Sequence, residues 1–308
     1  AQVSGPFKLD IDALNRKLQI MPEDVQSMNN LGGMLFRDGD YDLSEAMYKK
    51  ALDINPNNTD ILNGLANVLR YRGRYGESET MFKKAISLQP NNAWLYIDLG
   101  KLYRNWNKHQ ESEDMFAKAI SINPKDDKIY SYGLGYLYRD EGRLDEALKM
   151  FKKALELSPS SFNYMGLGDI YRHLAKYEES EKYLKKSIEL DAVSEAYLGL
   201  GYTYLAWGGK EVEAEQAFKD YLRLIKPKSE VYEGLGYIYI NQKRYIEAED
   251  VFNKSLAINP NMGGYMGLGR LYSAMGKLDQ AKAMFQKALE VDPNNTNARQ
   301  ALEGLSKN

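Results

Sequence analysis

Arg70, Arg104, Arg139 and Arg172 recur 33 to 35 residues apart. A guanidinium offers a planar fork of N–H donors that holds a carboxylate or phosphate by two bonds, so a regular series of them suits an anionic chain. Glycine phrases raise a second chemistry: GLGYLY, GLGDIY, GLGYTY, GLGYIY and GLGRLY begin at residues 133, 166, 199, 234 and 267. As phosphate cradles they would need to lie between a strand and a helix with a Lys nearby, and no strand pattern precedes any of them. Catalysis has less support still. His109 and His173 are remote in sequence and in no HExxH, nucleophile-elbow or paired-ligand context, and the chain has no cysteine. The expectation is a protein that is not an enzyme and uses no cofactor or metal.

What spaces the arginines is a repeat. NNLGGML, NGLANVL and IDLGKLY extend the glycine phrases backwards, and their second small residues are Gly32, Ala66, Gly100, Gly135, Gly168, Gly201, Gly236 and Gly269. A fixed period of this length signals a solenoid. After each comes a second phrase: SEAMYKKA, SETMFKKA, SEDMFAKA, ALKMFKKA, SEKYLKKS, AEQAFKDY, AEDVFNKS and AKAMFQKA. Small residues at both ends and an aromatic or Leu between them fall at i, i+4 and i+7, one face of a helix. Pro56, Pro90, Pro124, Pro159, Pro227, Pro260 and Pro293 end the units, with Ala192 the exception. Each unit therefore reads as helix, turn, helix, with Gly39, Gly73, Gly142, Gly208 and Gly276 at the turn.

In this pattern the chain resembles the tetratricopeptide repeat family across residues 22 to 293. The eighth unit carries the match as Tyr265, Leu268, Gly269, Tyr272, Ala281, Phe285, Ala288 and Pro293. The fifth carries it as Tyr164, Leu167, Gly168, Tyr171, Ser180, Leu184, Ser187 and Ala192. The resemblance implies an all-α, right-handed superhelical solenoid of helix-turn-helix repeats with capping helices. The expected organisation is an N-terminal segment and cap over 1–21 and repeats at about 22–55, 56–89, 90–123, 124–158, 159–191, 192–226, 227–259 and 260–293. A C-terminal cap follows at 294–308. The extra residues around Trp207, Gly208 and Gly209 mark the fifth-to-sixth junction as the place for a bend.

A departure from the family pattern is a second glycine two residues before the first, at Gly64, Gly133, Gly166, Gly199, Gly234 and Gly267. Each mid-helix glycine costs about 1 kcal/mol against Ala, so something must offset it. Close packing of adjacent first helices would; so would bare backbone left open for a ligand.

The resemblance also implies which first-helix positions line the concave surface. They are Asn63, Asn67, Arg70, Tyr71, Trp94, Lys101, Arg104, Tyr132, Tyr136, Arg139, Phe162, Met165, Arg172, His173, Tyr202 and Tyr237. Stacking would align the arginines as a ladder, and aromatics beside them add rigid contact area, a composition for an extended acidic peptide. The competing reading pairs the arginines with Asp or Glu of neighbouring units. The family's carboxylate clamp, with its Lys-Asn-Asn-Lys-Arg order, is not reproduced by any consecutive units. His109 stands where other units carry Tyr41, Tyr75 and Tyr177 at the turn, so packing is its expected role.

Bulk composition narrows the partner. With 44% hydrophobic and 27% charged residues and a formal charge of −2, the chain suits a folded protein with no global field favouring nucleic acid. The paired lysines Lys49-Lys50, Lys83-Lys84, Lys152-Lys153 and Lys185-Lys186 have acidic neighbours and read as a solvated face. No apolar run is long enough to insert into a membrane. The lack of cysteine leaves cytoplasm and bacterial periplasm both open, and an initial Ala1 fits a trimmed or a processed chain. The expected function is a scaffold that binds a protein or peptide segment in its groove. The alternative is an assembly domain of a bacterial secretion or polysaccharide-export machine, contacting a partner subunit or a glycan, with the terminal helices open to self-association.

Overall fold

The computed structural model describes residues 8–192 and 195–305. Residues 1–7 of the expected N-terminal segment, 193–194 in the expected sixth repeat, and 306–308 at the end of the expected C-terminal cap lie outside the described residues. Among the described residues every regular element is helical, as expected. The chain divides into two compact units, Ala1–Leu157 and Ser158–Asn308.

In the first unit, α1 (Lys8–Ile20) precedes α2 (Val25–Asp38) with α3 (Tyr41–Ile54), α4 (Thr59–Tyr71) with α5 (Tyr75–Leu88), and α6 (Ala93–Asn105) with α7 (His109–Ile122). A π-helix over Ile129–Gly135 then runs into α8 (Tyr136–Asp140), which is followed by α9 (Leu144–Leu157). The second unit contains α10 (Ser161–His173) with α11 (Tyr177–Leu190), and α12 (Ala196–Trp207) with α13 (Glu211–Leu224). Next come α14 (Ser229–Asn241) with α15 (Tyr245–Ile258), α16 (Met262–Ala274) with α17 (Leu278–Val291), and α18 (Thr296–Leu305).

Short polar residues start the first helices. Asp24, Asn58, Asn92, Ser160 and Asn261 each accept a backbone N–H of the following turn, satisfying a donor that the helix cannot. The turn inside each pair runs through a left-handed residue, at Gly39 (φ 88°), Gly73 (φ 74°), Gly142 (φ 74°) and Gly276 (φ 73°) as the glycines suggested. Asn107, Ala175 and Lys243 hold the same conformation with φ of 56° to 59°, although each carries a Cβ.

The second helices lock the pairs together. Ser44, Ser78 and Ser112 are fully buried, and their hydroxyls donate to the carbonyls of Gly32, Ala66 and Gly100 at 2.7, 2.7 and 2.8 Å. The aromatic or Leu four residues on then settles the question of the extra glycines. A Cβ on Gly32 would stand 2.9 Å from the Tyr48 ring and one on Gly64 only 2.5 Å away, so the ring sits between α2 and α4. Phe116 fills the same space between Gly100 (2.6 Å) and Gly133 (2.8 Å), and Leu184 between Gly168 (2.6 Å) and Gly199 (2.9 Å). Phe218 lies between Gly201 and Gly234, and Phe252 between Gly236 and Gly267. The close approach is therefore of a first helix to the side chain of the preceding second helix, rather than of two first helices directly. Burial of these rings, with relative exposure of 6% for Tyr48 and 0% for Phe116, Phe218 and Phe252, offsets the conformational cost of the glycines.

The π-helix has a cause in the spacing. Ten residues separate Pro22 from Gly32, Pro56 from Ala66 and Pro90 from Gly100, but eleven separate Pro124 from Gly135. The extra residue lies in the segment that winds as the π-helix, whose wider turn absorbs it while keeping Gly133 and Gly135 on the packed side. The expected first helix of this unit is present, wound as a π-helix that passes directly into an α-helix. In the second unit an extra residue falls between α12 and α13, where Gly208 and Gly209 both take positive φ.

Candidate functional site

The first-helix residues of the first unit form a connected polar cluster. On α4, Asn67 Nδ2 donates to the Asn63 carbonyl (3.1 Å) and to Asp98 Oδ2 on α6 (3.3 Å), while its Oδ1 accepts from Arg70 Nη2 (3.0 Å). The Asn105 amide, with its nitrogen toward the Lys101 carbonyl, accepts from Arg70 Nη1 at 3.1 Å. The Arg70 guanidinium lies 4.6 Å above the Tyr71 ring, and that ring, 57% exposed, stacks on Tyr41 and meets the edge of Phe36. Arg70 has no carboxylate partner among the described residues, and its Nε and the Asn63 Oδ1 are both buried without a hydrogen bond. Buried polar atoms left in this state are uncommon in folded proteins.

Further along the face, Lys101 Nζ pairs with Asp98 Oδ1 (3.1 Å) and lies 5.5 Å over the Tyr132 ring. Arg104 donates from Nη1 to the Tyr132 carbonyl (3.1 Å), and its Nε stands 3.5 Å from Asp140 Oδ2. Arg139 holds Asp140 Oδ1 by Nε (3.1 Å) and Nη2 (2.8 Å). Both guanidiniums contact Tyr136, at 5.8 Å from Arg104 and 4.5 Å from Arg139. Burial lowers the pKa of Arg104; Asp140 opposes that, while Arg139 and Arg70 add to it. Arg104 is thus drawn to Asp140 while the neighbouring guanidiniums of Arg139 and Arg70 repel it. Trp94 stands apart, 44% exposed at the start of α6 with Lys128 4.7 Å above its ring. Ten residues of helix, about 15 Å, separate it from Arg104.

In the second unit, Arg172 pairs with Asp169, its Nη2 lies 3.2 Å from His173 Nε2, and its Nε is buried without a hydrogen bond. Phe162 is half-buried, and Met165 packs against the core of this unit. Tyr202 meets Phe218 edge-on and donates its hydroxyl to the Glu230 carbonyl (3.1 Å). Burial, with Glu230 and Glu233 nearby, pushes Tyr202 up to about 12. Tyr237 meets Phe252 in the same way, with Arg270 5.4 Å over its ring. Beside it the Glu233 carboxylate, raised in pKa chiefly by burial, accepts from Ser255 Oγ (2.9 Å). Where the first unit carries Arg70, Arg104 and Arg139, α12, α14 and α16 carry Leu205, Ile240 and Ser273.

Two sets of residues escaped the sequence reading. One comprises Asp98 and Asp140, the carboxylates within the cationic cluster. The other is a ladder between successive pairs, in which a first-helix tyrosine donates to a glutamate of the preceding second helix. Its rungs are Tyr103 to Glu79 (2.6 Å), Tyr138 to Glu113 (2.6 Å), Tyr204 to Glu181 (2.8 Å), Tyr239 to Glu215 (3.3 Å) and Tyr272 to Glu249 (2.6 Å). Where Leu69 replaces the tyrosine, Arg72 and Arg74 hold the buried Glu45 instead, at 2.8 and 2.7 Å. The recurrent Glu of the SE and AE phrases was the available signal. The lysine-pair residues Lys49, Lys83 and Lys185 bind Glu45, Glu79 and Glu181 one turn away at 2.6 to 2.7 Å, consistent with a solvated face. His109 begins α7, half-buried, with Nδ1 3.7 Å from Glu141.

The paired helices and the ring between glycines recur in both units, and the tetratricopeptide repeat profiles match residues 23–89, 57–125, 128–191, 229–262 and 264–295. The chain belongs to the tetratricopeptide repeat family. Solved structures share the tetratricopeptide fold at low identity. One is a chain of the APC/C hetero-tetramer Cut9-Hcn1, 20% identical with a TM-score of 0.66; the match covers 99% of this chain and 60% of that one. A tetratricopeptide repeat protein from Parabacteroides merdae is 23% identical with a TM-score of 0.63, over 81% of this chain and 99% of that one. Human IFIT1, solved as a dimer with m7Gppp-AAAA, is 18% identical with a TM-score of 0.69, over 96% of this chain and 76% of that one. No curated protein matches the sequence. Tetratricopeptide repeats serve as protein-interaction scaffolds, and that is the class of this chain. No helix among the described residues is long and apolar enough to cross a membrane.

Proposed function

We propose that this scaffold holds an extended acidic segment of a partner protein against the first-helix face that carries Arg70, Arg104 and Arg139, the face expected to line the groove. The single observation that supports this most is Arg70: a guanidinium with no carboxylate partner among the described residues, laid over an exposed tyrosine and ringed by amides. A cation held ready in this way needs little reordering to accept an anion, which is where affinity is gained. Lys101, Arg104 and Arg139 extend the cationic character along the same unit, and Tyr71, Tyr132 and Tyr136 supply flat contact surfaces between them. A carboxylate-rich strand is the matching partner.

The test is fluorescence anisotropy with a labelled hexaglutamate peptide, read at low and moderate salt, on the native chain and on a variant with Arg70, Arg104 and Arg139 all changed to Ala. Circular dichroism checks that both are equally helical. Salt-sensitive binding that weakens by about tenfold or more in the variant is the expected result. Equal binding by both proteins removes this face from the function.

A further inference from the structure

Asp140 does to Arg104 and Arg139 what a bound acidic segment would do. It ends α8 on the cationic face and is solvent-accessible, with 35% of its side chain exposed. One oxygen takes the Arg139 fork by Nε and Nη2 at 3.1 and 2.8 Å; the other faces Arg104 Nε at 3.5 Å. The equivalent position in the neighbouring helices is Tyr71 on α4 and Asn105 on α6, neither of them a carboxylate. The arrangement is not demanded by the repeat framework: Asp140 takes no part in the ring-and-glycine packing or in the tyrosine-glutamate ladder.

We infer that the Arg104 and Arg139 guanidiniums form a carboxylate subsite whose resting occupant is Asp140, and that an Asp or Glu side chain of the bound segment displaces it. This rests on the proposed reading of the face and adds to it the chemistry of one subsite and the residue that sets its threshold. The geometry favours a planar carboxylate, since Asp140 already meets Arg139 through two nitrogens. Asp140 also acts as a filter. A weakly acidic segment gains little by exchanging one carboxylate for another, whereas a segment with several carboxylates engages Arg70 as well and overcomes the competition. The Arg139–Asp140 pair, with about a third of each side chain exposed, can exchange because solvent screens it and each side chain can turn away.

The experiment compares the native chain with Asp140→Asn, which preserves size and removes the charge. Asp53→Asn, an exposed change elsewhere on α3, is the control for net charge. Hexaglutamate binding is measured by anisotropy, with circular dichroism and thermal unfolding to confirm folding. The expected result is that Asp140→Asn binds about three- to tenfold more tightly and Asp53→Asn within about twofold of native. If the native chain binds with salt sensitivity while Asp140→Asn binds equally or more weakly, the face stands and the subsite is overturned. If neither protein binds, the reading of the face fails and the subsite falls with it. Tighter binding by Asp53→Asn to the same degree overturns the subsite too, since bulk charge would then explain the gain. Adding Arg104→Ala and Arg139→Ala to Asp140→Asn should abolish the gain; if the gain persists, the carboxylate is not being received by these arginines.

Discussion

The two units share one framework and differ in the chemistry of their first-helix faces. In both, a ring or Leu from a second helix fills the space over glycines, and a tyrosine joins a glutamate across successive pairs. On the first unit's face stand Arg70, Lys101, Arg104 and Arg139. The second unit keeps Arg172 on α10 but places Leu205, Ile240 and Ser273 at the later arginine positions, and half-buries the Glu233 carboxylate near Tyr237. Packing tolerates few residue types at an interlock, so those positions repeat; a solvent-facing position is under no such restraint and is free to specialise. The face, then, is where function can differ within a single repeat design.

The largest effects should come from the shared framework and should be alike in the two units. Phe116→Ala and Phe252→Ala each empty a fully buried ring site, at an expected cost of about 3–5 kcal/mol in urea unfolding. Gly100→Ala and Gly236→Ala give a sharper test, since Ala stabilises an exposed helix relative to Gly by about 1 kcal/mol. Here the new methyl meets the Phe116 or Phe252 ring, and the sign should reverse to a loss of about 1–3 kcal/mol. A stabilised Gly236→Ala would mean the second unit's interlock is looser than the first's.

Next in size is the contrast between faces. Arg70→Ala with Arg104→Ala should weaken hexaglutamate binding about tenfold, whereas Arg172→Ala with Arg270→Ala in the second unit should change it less than twofold. Arg172 is engaged by Asp169, and Arg270 lies over Tyr237 without the asparagine amides that hold Arg70. Equal losses from both pairs would erase the distinction between the units.

A pH series separates the ladder from Glu233. Burial pushes Glu215 up, but Lys219, Arg244 and their hydrogen bonds more than offset it and hold the carboxyl below its ordinary range. Its stabilisation is present above the unfolded pKa and is lost as pH falls through the folded value. Glu233 is shifted the other way, with burial the leading cause and Ser255 opposing it. Its ionisation therefore costs stability as pH rises from the ordinary carboxylate value through the raised one. Glu233→Gln should raise the thermal midpoint at neutral pH and leave it unchanged near about pH 4, while Glu215→Gln should lower it at neutral pH. A neutral-pH loss from Glu233→Gln would show that the charged carboxylate is wanted where it lies.

Most of the fold was legible because its packing rules repeat: the small residues, the aromatic between them and the closing prolines announce the same helix pair again and again. The π-helix was legible in principle, from the eleven residues between Pro124 and Gly135 where earlier units have ten. The site was legible only in part. Arg70, Arg104 and Arg139 share a repeat position and could be aligned, but Asp140 stands at a position held by Tyr71 and Asn105 in the preceding units, so no periodicity points to it. The partners of the arginines are a matter of side-chain reach across helices, which sequence spacing does not encode.

The smallest expected effect concerns the turns, where sequence and backbone disagree. Gly39, Gly73, Gly142 and Gly276 take the left-handed conformation at no steric cost, but Ala175 (φ 56°) and Lys243 (φ 59°) adopt it with a Cβ facing the backbone. Asn107 is less strained, because its short polar side chain tolerates this region. Replacing Ala175 or Lys243 by Gly relieves the folded state but also loosens the unfolded chain, and the two terms oppose each other. Relief of about 1 kcal/mol or more exceeds the entropic term, so each change should stabilise by about 0.5 kcal/mol, and Asn107→Gly by less. Ala175 and Lys243 both lie in the second unit, so the pair of substitutions should raise its unfolding midpoint without altering hexaglutamate binding. A fall in stability would mean that the flanking helices, rather than the turn residue, dictate the left-handed conformation and that its strain is already relaxed.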